Sequence, residues 1–112
     1  MGRPMVRRLL GAGYAVGAYD NRPDAVTGAR EDGAEAGTSP ADVASGADAV
    51  ITMLPDARAV ERIVYDGGLV HALRPGQILL EMTSSAPRTT RRIAADLVPK
   101  GVRVLDAPVS GG

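Results

Sequence analysis

Apolar residues recur along this chain at two different spacings, and the spacing changes from one segment to the next. The first segment has helical spacing, with Met5, Val6, Leu9 and Leu10 on one face. Pro4 suits a first helical turn and Gly11 suits a helix end, so this pattern predicts a first helix. Further helices are predicted over residues 21–33, 39–45 and 57–65, around His71, and up to Pro99.

Short β-type runs separate these helices, at residues 14–20, 49–54, 77–82 and 102–105. The runs Ala49–Leu54 and Gln77–Met82 are apolar on both alternating faces, which is typical of strands covered on both sides. Strand and helix therefore alternate with short connections. This order predicts a single α/β domain in which helices wrap a parallel sheet.

Residues that directly follow the predicted strands are the candidates for binding, because ligands of parallel sheets lie beyond the carboxyl ends of the strands. They are Asp20, Leu54-Pro55, Thr83-Ser84 and the segment 106–112. The hydroxyls of Ser84 and Ser85 suit helix capping better than nucleophilic catalysis, since no base is positioned for them.

Composition narrows the classes of partner. The chain has 112 residues, and its 13 basic and 13 acidic side chains give a net charge of zero. Nucleic acids and anionic membranes are usually met by a basic excess, so neither is expected as a partner. The absence of cysteine removes disulfides and thiolate-bound zinc, and the lone His71 makes a metal site improbable. We expect a cytoplasmic protein that binds small molecules.

Gly2 and Asp20 are candidates for binding a dinucleotide. Gly2 precedes the first helix and could be the last glycine of a phosphate-binding G-x-G-x-x-G turn. Asp20 follows it at about the interval, roughly 20 residues, at which an acid binds the adenine ribose. An acid there favours NAD, whereas Arg22 could pair with the extra phosphate of NADP. On the residues alone, an ordinary glycine and a turn aspartate remain open alternatives.

The segment DAPVSGG, residues 106–112, gives the strongest single signal. A serine followed by two glycines after a buried strand offers one hydroxyl and unhindered backbone amides at one point. Such groups can hold a carboxylate, because amides approach a ligand closely where no Cβ intervenes. A flexible glycine tail is the alternative.

Three segments together resemble one family. DAPVSGG, the initial xPMxxxLLxAG and the central SPADVAxxADxxITMLP are similar to the β-hydroxyacid dehydrogenases, in their 3-hydroxyisobutyrate dehydrogenase-like branch. The resemblance implies a Rossmann-like, doubly wound parallel sheet of the 6-phosphogluconate dehydrogenase type. It also implies that residues 1–112 are a partial NAD(P)-binding domain, without the first strand and part of the Gly-rich loop, and without the helical C-terminal dimerisation and catalytic domain.

The resemblance assigns roles by position. Met1 and Gly2 would face the pyrophosphate, and Asp20 the adenine ribose. The adenosine side and the cofactor bridge would contact Leu54, Pro55 and Ala59. Ser84 stands near the nicotinamide, where the family usually has threonine. The substrate carboxylate would be held by Ser110, Gly111 and Gly112. No residue matches the catalytic lysine, which lies further along in the family, because Lys100 stands before the last strand.

The implied function is hydride transfer between NAD, or alternatively NADP, and a small 3-hydroxy acid in a homo-oligomeric parent enzyme. This chain would supply cofactor and carboxylate binding only, and alone would be inactive. The alternatives are a non-catalytic remnant or nucleotide-binding module, or an imine or glyoxylate reductase of the same superfamily. In the expected strand order, the runs 14–20 and 49–54 flank the absent strand, so we expect either a gap or a collapsed, non-family pairing between them. We also expect an unstable or molten chain and weak NAD binding.

Overall fold

The structure is a computed structural model that describes residues 2–84 and 87–109. The predictions for Met1, Ser85, Ser110, Gly111 and Gly112 therefore fall outside the described residues.

Helices and short strands alternate as the sequence predicts. The helices are α1 (Gly2–Gly11), α2 (Pro23–Glu31), α3 (Pro40–Ser45), α4 (Ala57–Glu61), α5 (Leu69–Ala72) and α6 (Pro87–Leu97). The strands are β1 (Gly17–Ala18), β2 (Glu35–Ala36), β3 (Ala49–Thr52), β4 (Ile78–Glu81) and β5 (Arg103–Asp106). A π-helical turn, Arg62–Asp66, continues α4, and a 3₁₀ turn, Val98–Lys100, continues α6.

The strands form two separate parallel sheets. β1 pairs with β2, and β3, β4 and β5 pair in that order. Within the described residues no backbone ladder joins β1 to β3, so each keeps one edge without a strand partner. Of the two predicted outcomes, the described residues fit the gap: they contain no ladder between these two runs.

The hydrophobic core lies almost wholly in the second part of the chain. Its buried members are Ala44, Val50, Val60, Val64, Leu69, Leu73, Leu79, Ile93, Leu97 and Val102. These side chains come from α3, the three-stranded sheet and the helices packed on it. Removing this apolar surface from water is the main stabilising contribution. Within residues 2–38 the buried apolar side chains are Ala29 and Ala34, which lie outside this cluster.

Charged contacts attach α1 to α2, beside the half-buried apolar side chains of Met5, Val6, Leu9 and Leu10. None of the α1 residues is buried. Arg3 Nε donates to Asp32 Oδ2 at 2.8 Å, and Arg7 Nε donates to the same oxygen at 3.0 Å. The hydrogen bond from Arg3 lowers the pKa of Asp32 to about 2, and the bond from Arg7 acts in the same direction.

Three details depart from the sequence prediction. β2 was not predicted; it forms because Glu35 and Gly37 donate backbone hydrogen bonds to the carbonyls of Val16 and Ala18. The predicted run 14–20 narrows to two strand residues, with Tyr14 65% exposed. The predicted helix 57–65 changes to π-helical geometry at Arg62.

In the described ranges, no helix combines the length and apolar character needed to cross a membrane.

Candidate functional site

The carboxyl ends of β3, β4 and β5 lie side by side at one edge of the three-stranded sheet. Their last residues, Thr52, Glu81 and Asp106, are in register with one another. Because the strands are parallel, the loops that follow them leave the sheet at the same edge. The structure therefore brings the predicted residues Leu54, Pro55 and Ser84 to one side of the sheet.

The loop after β3 is fixed at both ends by hydrogen bonds. The N–H of Leu54 donates to Thr83 Oγ1 at 3.0 Å, which ties this loop to the loop after β4. At the other end, Asp56 caps α4 by accepting the N–H of Ala59 at 2.9 Å. Leu54 and Ala59 are half-buried, whereas Pro55 between them is exposed. The loop thus presents Pro55 on a backbone that is held at both ends.

Ser84 links the loop after β4 to the segment after β5. Its hydroxyl donates to the carbonyl of Val109 at 2.9 Å, and the N–H of Val109 donates to the carbonyl of Met82 at 3.3 Å. The N–H of Ala107 similarly donates to the carbonyl of Glu81. These bonds carry the pairing of β4 and β5 beyond the strands, as far as the residue before Ser110.

Asp20 follows β1 and forms a local turn with Arg22. Its Oδ1 accepts the backbone N–H of Arg22 at 2.9 Å and lies 3.5 Å from Nε of the same residue. The pair is exposed to solvent, with 37% of the Asp20 side chain accessible. The local turn and a ribose-binding role of Asp20 are therefore compatible, since both contacts with Arg22 use the same carboxylate oxygen, Oδ1.

Gly2 begins α1 at the exposed end of the helix. A Cβ placed on Gly2 would have no atom within 4 Å, so the backbone here is open to a ligand. Gly2 and Asp20 belong to the part of the chain that contains β1 and β2, whereas Leu54 and Ser84 belong to the three-stranded sheet. The predicted site residues thus lie in two parts of the chain, and no ladder among the described residues connects the sheets of these parts.

Two clefts among the described residues lie elsewhere. One, of about 290 Å³, is lined by Arg58, Glu61, Arg62, Tyr65, Asp66 and Arg92. A second, of about 620 Å³, is lined by residues of α1 and by Ala12. Neither lining includes the predicted cofactor-binding residues. The described ranges also hold no group of three acidic or histidine side chains suited to a metal ion.

Tyr65 lines the smaller cleft and is held by α6. Its hydroxyl donates to Asp96 Oδ2 at 2.6 Å, and the Arg92 guanidinium lies 4.6 Å from the centre of its ring. Burial raises the pKa of Tyr65 to about 12, and the hydrogen bond to Asp96 adds to the effect. This cluster fastens the π-helical turn to α6.

Glu81 is a polar feature of this edge that sequence reasoning missed. It ends β4 with a fully buried side chain, in a run that the apolar pattern marked as an ordinary core strand. The signal available in the sequence was the presence of a glutamate in this strand, since an ionisable residue in a strand covered on both faces needs a polar partner.

Comparison with known proteins supports the resemblance. A family model described as the NAD binding domain of 6-phosphogluconate dehydrogenase matches residues 1–112. An NAD-dependent L-serine dehydrogenase of Pseudomonas aeruginosa is 43% identical over 113 residues, which cover 100% of this chain and 38% of that protein. The mitochondrial 3-hydroxyisobutyrate dehydrogenase of Rattus norvegicus is 37% identical, with 100% and 34% covered.

A solved structure shares the fold. The 3-hydroxyisobutyrate dehydrogenase of Mycobacterium tuberculosis, described with L-serine, superposes with a TM-score of 0.92 at 37% identity, covering 100% of this chain and 38% of that one. The parallel α/β arrangement is therefore Rossmann-like, as predicted. This chain spans little more than a third of the length of these relatives.

Proposed function

We propose that this chain, which belongs to the family of NAD-binding domains of 6-phosphogluconate dehydrogenase, supplies the cofactor-binding part of a hydroxyacid dehydrogenase. The family match over residues 1–112 carries the proposal. The relatives named above as L-serine and 3-hydroxyisobutyrate dehydrogenases suggest a small 3-hydroxy acid as the substrate class. The full reaction would also require a proton-transfer group that no residue of this sequence matches.

The available groups at the start of the chain fit a dinucleotide. α1 is a ten-residue helix whose first residue, Gly2, has open space where a side chain would stand. A helix N-terminus without side-chain obstruction favours phosphate, because its free amides and dipole attract an anion. We assign Met1 and Gly2 to the pyrophosphate on this basis.

Asp20 and Arg22 decide between NAD and NADP in this proposal. A carboxylate at Asp20 would accept hydrogen bonds from ribose hydroxyls and repel a 2′-phosphate. The nearby Arg22 guanidinium partly offsets that repulsion, since it lies 3.5 Å from the carboxylate. We propose NAD as the cofactor, with NADP bound more weakly.

The loops at the carboxyl edge would orient the rest of the cofactor and the substrate. Leu54, Pro55 and Ala59 would contact the adenosine side and the bridge, and Ser84 the nicotinamide side. The bond from Ser84 to Val109 supports a substrate role for the following residues, because it holds the chain immediately before Ser110 beside the nicotinamide loop. We assign Ser110, Gly111 and Gly112 to the substrate carboxylate.

The chemistry would be divided between cofactor and chain. When bound, NAD supplies the hydride acceptor. The chain's own residues would bind and orient the cofactor and the substrate. The amides at Gly2 would hold the phosphates, Asp20 would accept hydrogen bonds from the ribose hydroxyls, and the segment from Ser110 would hold the substrate carboxylate. Catalysis in this arrangement rests on placing the two reactants correctly.

We further propose that residues 1–112 work together with a helical domain carrying the catalytic lysine, in a homo-oligomeric cytoplasmic enzyme. This division into a cofactor-binding part and a helical domain is supported by the comparisons, in which this chain matches 38% of the length of a relative. The zero net charge supports a small-molecule partner rather than nucleic acid or a membrane surface.

An NMR titration of this chain with NAD tests the proposal. We expect shifts confined to Gly2, Asp20, Leu54, Ser84 and their neighbours, with saturation only above the micromolar range. Weak binding is expected because the groups lie on two sheets that no ladder connects. NADP titrated in parallel should shift the same residues less at equal concentration.

The outcomes separate the parts of the proposal. Shifts confined to other surfaces, or none at all, would refute the cofactor role. Micromolar affinity would refute the expectation of weak binding. The chain alone should not reduce NAD with 3-hydroxyisobutyrate or L-serine, and turnover would contradict the assignment of proton transfer to another domain.

A further inference from the structure

A fully buried carboxyl group lies at the centre of the carboxyl edge. Glu81 is the last residue of β4, the middle strand of the three-stranded sheet, and its side chain is 0% exposed. Burying a carboxyl group is costly unless hydrogen bonds compensate for the lost water. Its contacts therefore show what the buried group stabilises.

One oxygen of Glu81 joins the ends of two strands. Oε1 accepts the hydroxyl of Thr52 at 3.1 Å and the backbone N–H of Thr83 at 2.8 Å. Thr52 ends β3 and lies directly opposite Glu81 in the parallel register. The carboxyl group thus holds the end of β3 and the first turn after β4 at a fixed separation.

Thr83 extends this network into the cofactor loop. Its side chain is buried, and its Oγ1 accepts the N–H of Leu54 at 3.0 Å while lying 3.5 Å from the carbonyl of Thr52. The hydroxyl can accept from the amide and donate to the carbonyl at the same time. A continuous set of hydrogen bonds therefore runs from Glu81 through Thr83 to Leu54.

The second oxygen, Oε2, is buried and has no hydrogen-bond partner among the described residues. A leucine here would bury its side chain without this cost, but could not hold Thr52 and the N–H of Thr83. The cost of this polar network is better explained by its ordering of the loops after β3 and β4 than by a contribution to the stability of the strands.

We propose that Glu81 is a positioning residue for the cofactor-binding loops. It acts through Thr83, which holds Leu54, and so sets the position of Leu54-Pro55 relative to Ser84. This inference rests on the proposed function, because a fixed spacing between the loops after β3 and β4 matters only if both loops contact the same cofactor.

Paired variants at each position test the network. Thr83→Val removes the hydroxyl at similar volume, and Thr83→Ser restores it. Glu81→Leu removes the acceptor, whereas Glu81→Gln keeps one oxygen. Glu35→Gln makes the same chemical change on exposed β2 and serves as the control. The readouts are amide hydrogen exchange and the dissociation constant for NAD, from shift titration.

Thr83→Val should accelerate exchange of the Leu54 amide about tenfold relative to the amides of Leu79 and Leu97, because it deletes one buried hydrogen bond. It should also weaken NAD binding several-fold. Thr83→Ser should recover both within about twofold of wild type. A purely structural role would instead raise exchange at all core amides together.

The two hypotheses fail in different ways. If wild type shows no NAD-induced shifts, the proposed function fails while the exchange test of the network remains valid. Unchanged exchange at Leu54 and Thr83 in Glu81→Leu would overturn the positioning role, and so would altered exchange with unchanged NAD affinity. If Glu81→Leu does not fold, the comparison of Thr83→Val with Thr83→Ser decides the question alone.

Discussion

The free edges of β1 and β3 predict that one added strand will stabilise this chain. The perturbation is an N-terminal extension: five β-branched residues followed by a Gly-Leu-Gly turn and one residue that leads into Met1. A strand between two edges stands about 4.8 Å from each, so the extension should pair with β1 on one side and β3 on the other. The matched control carries proline at the third strand position.

The magnitude follows from the lengths of the two edges. β3 has 4 residues and β1 has 2. In a parallel ladder they offer about six backbone groups to a strand between them, and at about 1 kcal/mol each this gives roughly 6 kcal/mol before ordering costs. Proline in a central strand should remove at least one of these hydrogen bonds, about 1 kcal/mol, since it lacks the N–H and is confined to edge strands and bulges in sheets.

Urea unfolding followed by circular dichroism measures the gain, and hydrogen exchange locates it. We expect a higher midpoint and a steeper transition for the extension than for its proline control, with new protection at Gly17, Ala49 and Ile51, whose N–H groups point away from the existing ladders. Equal midpoints for the two extended chains would refute the argument, and so would cooperative unfolding of the unextended chain with protected amides in both β1 and β3.

Further predictions concern titration and the core. The hydrogen bond from the first arginine of α1 holds the pKa of Asp32 at about 2, below its usual 3.8. Its stabilising effect should therefore be complete above pH 4 and lost as the pH falls towards 2; a carboxyl carbon NMR titration should show this, and Asp32→Asn should abolish the pH dependence of α1 packing. Burial raises the pKa of Tyr65 to about 12. The stabilising contribution of the neutral Tyr65 side chain is therefore complete below pH 10 and is lost as the pH rises through about 12. In a near-ultraviolet titration of the three tyrosines, Tyr65→Phe should remove the last step and Asp96→Asn should move that step to lower pH. Leu79→Ala should lower the free energy of unfolding by about 2–5 kcal/mol, because the side chain is fully buried in the central strand. Leu105→Ala on β5, where the side chain is 53% exposed, should change it far less, and equal losses in urea titrations would contradict the assigned core.

Sequence patterns predicted the three-stranded sheet because its strands carry their own signal. Residues of β3 and β4 are apolar on both faces, and that pattern depends little on distant partners. β2 gave no such signal, since Glu35–Ala36 is too short to show a period and forms through backbone bonds to Val16 and Ala18. Strands that exist only through a neighbour cannot be read from side-chain spacing.

The common location of the predicted residues after the strands could be inferred from the sequence, whereas the contacts that support them could not. Leu54, Pro55 and Ser84 follow strands, so their common edge could be inferred from the alternation of elements. The bonds from Thr83 to Leu54 and from Ser84 to Val109 join residues distant in sequence, and only the parallel register brings them together. The buried carboxyl of Glu81 contradicts the apolar pattern of its strand, which is why periodicity gave it no role.

The attachment of α1 by guanidinium groups makes ionic strength a variable for this molecule. α1 buries no residue, and the contacts of Arg3 and Arg7 with Asp32 are open to solvent ions. Added salt screens such contacts over about 8–10 Å at moderate concentration, while apolar packing is not weakened in this way. Concentrated salt should therefore loosen the charged contacts of the first helix and leave it held by its half-buried apolar side chains, while the Ala44–Val102 core stays folded.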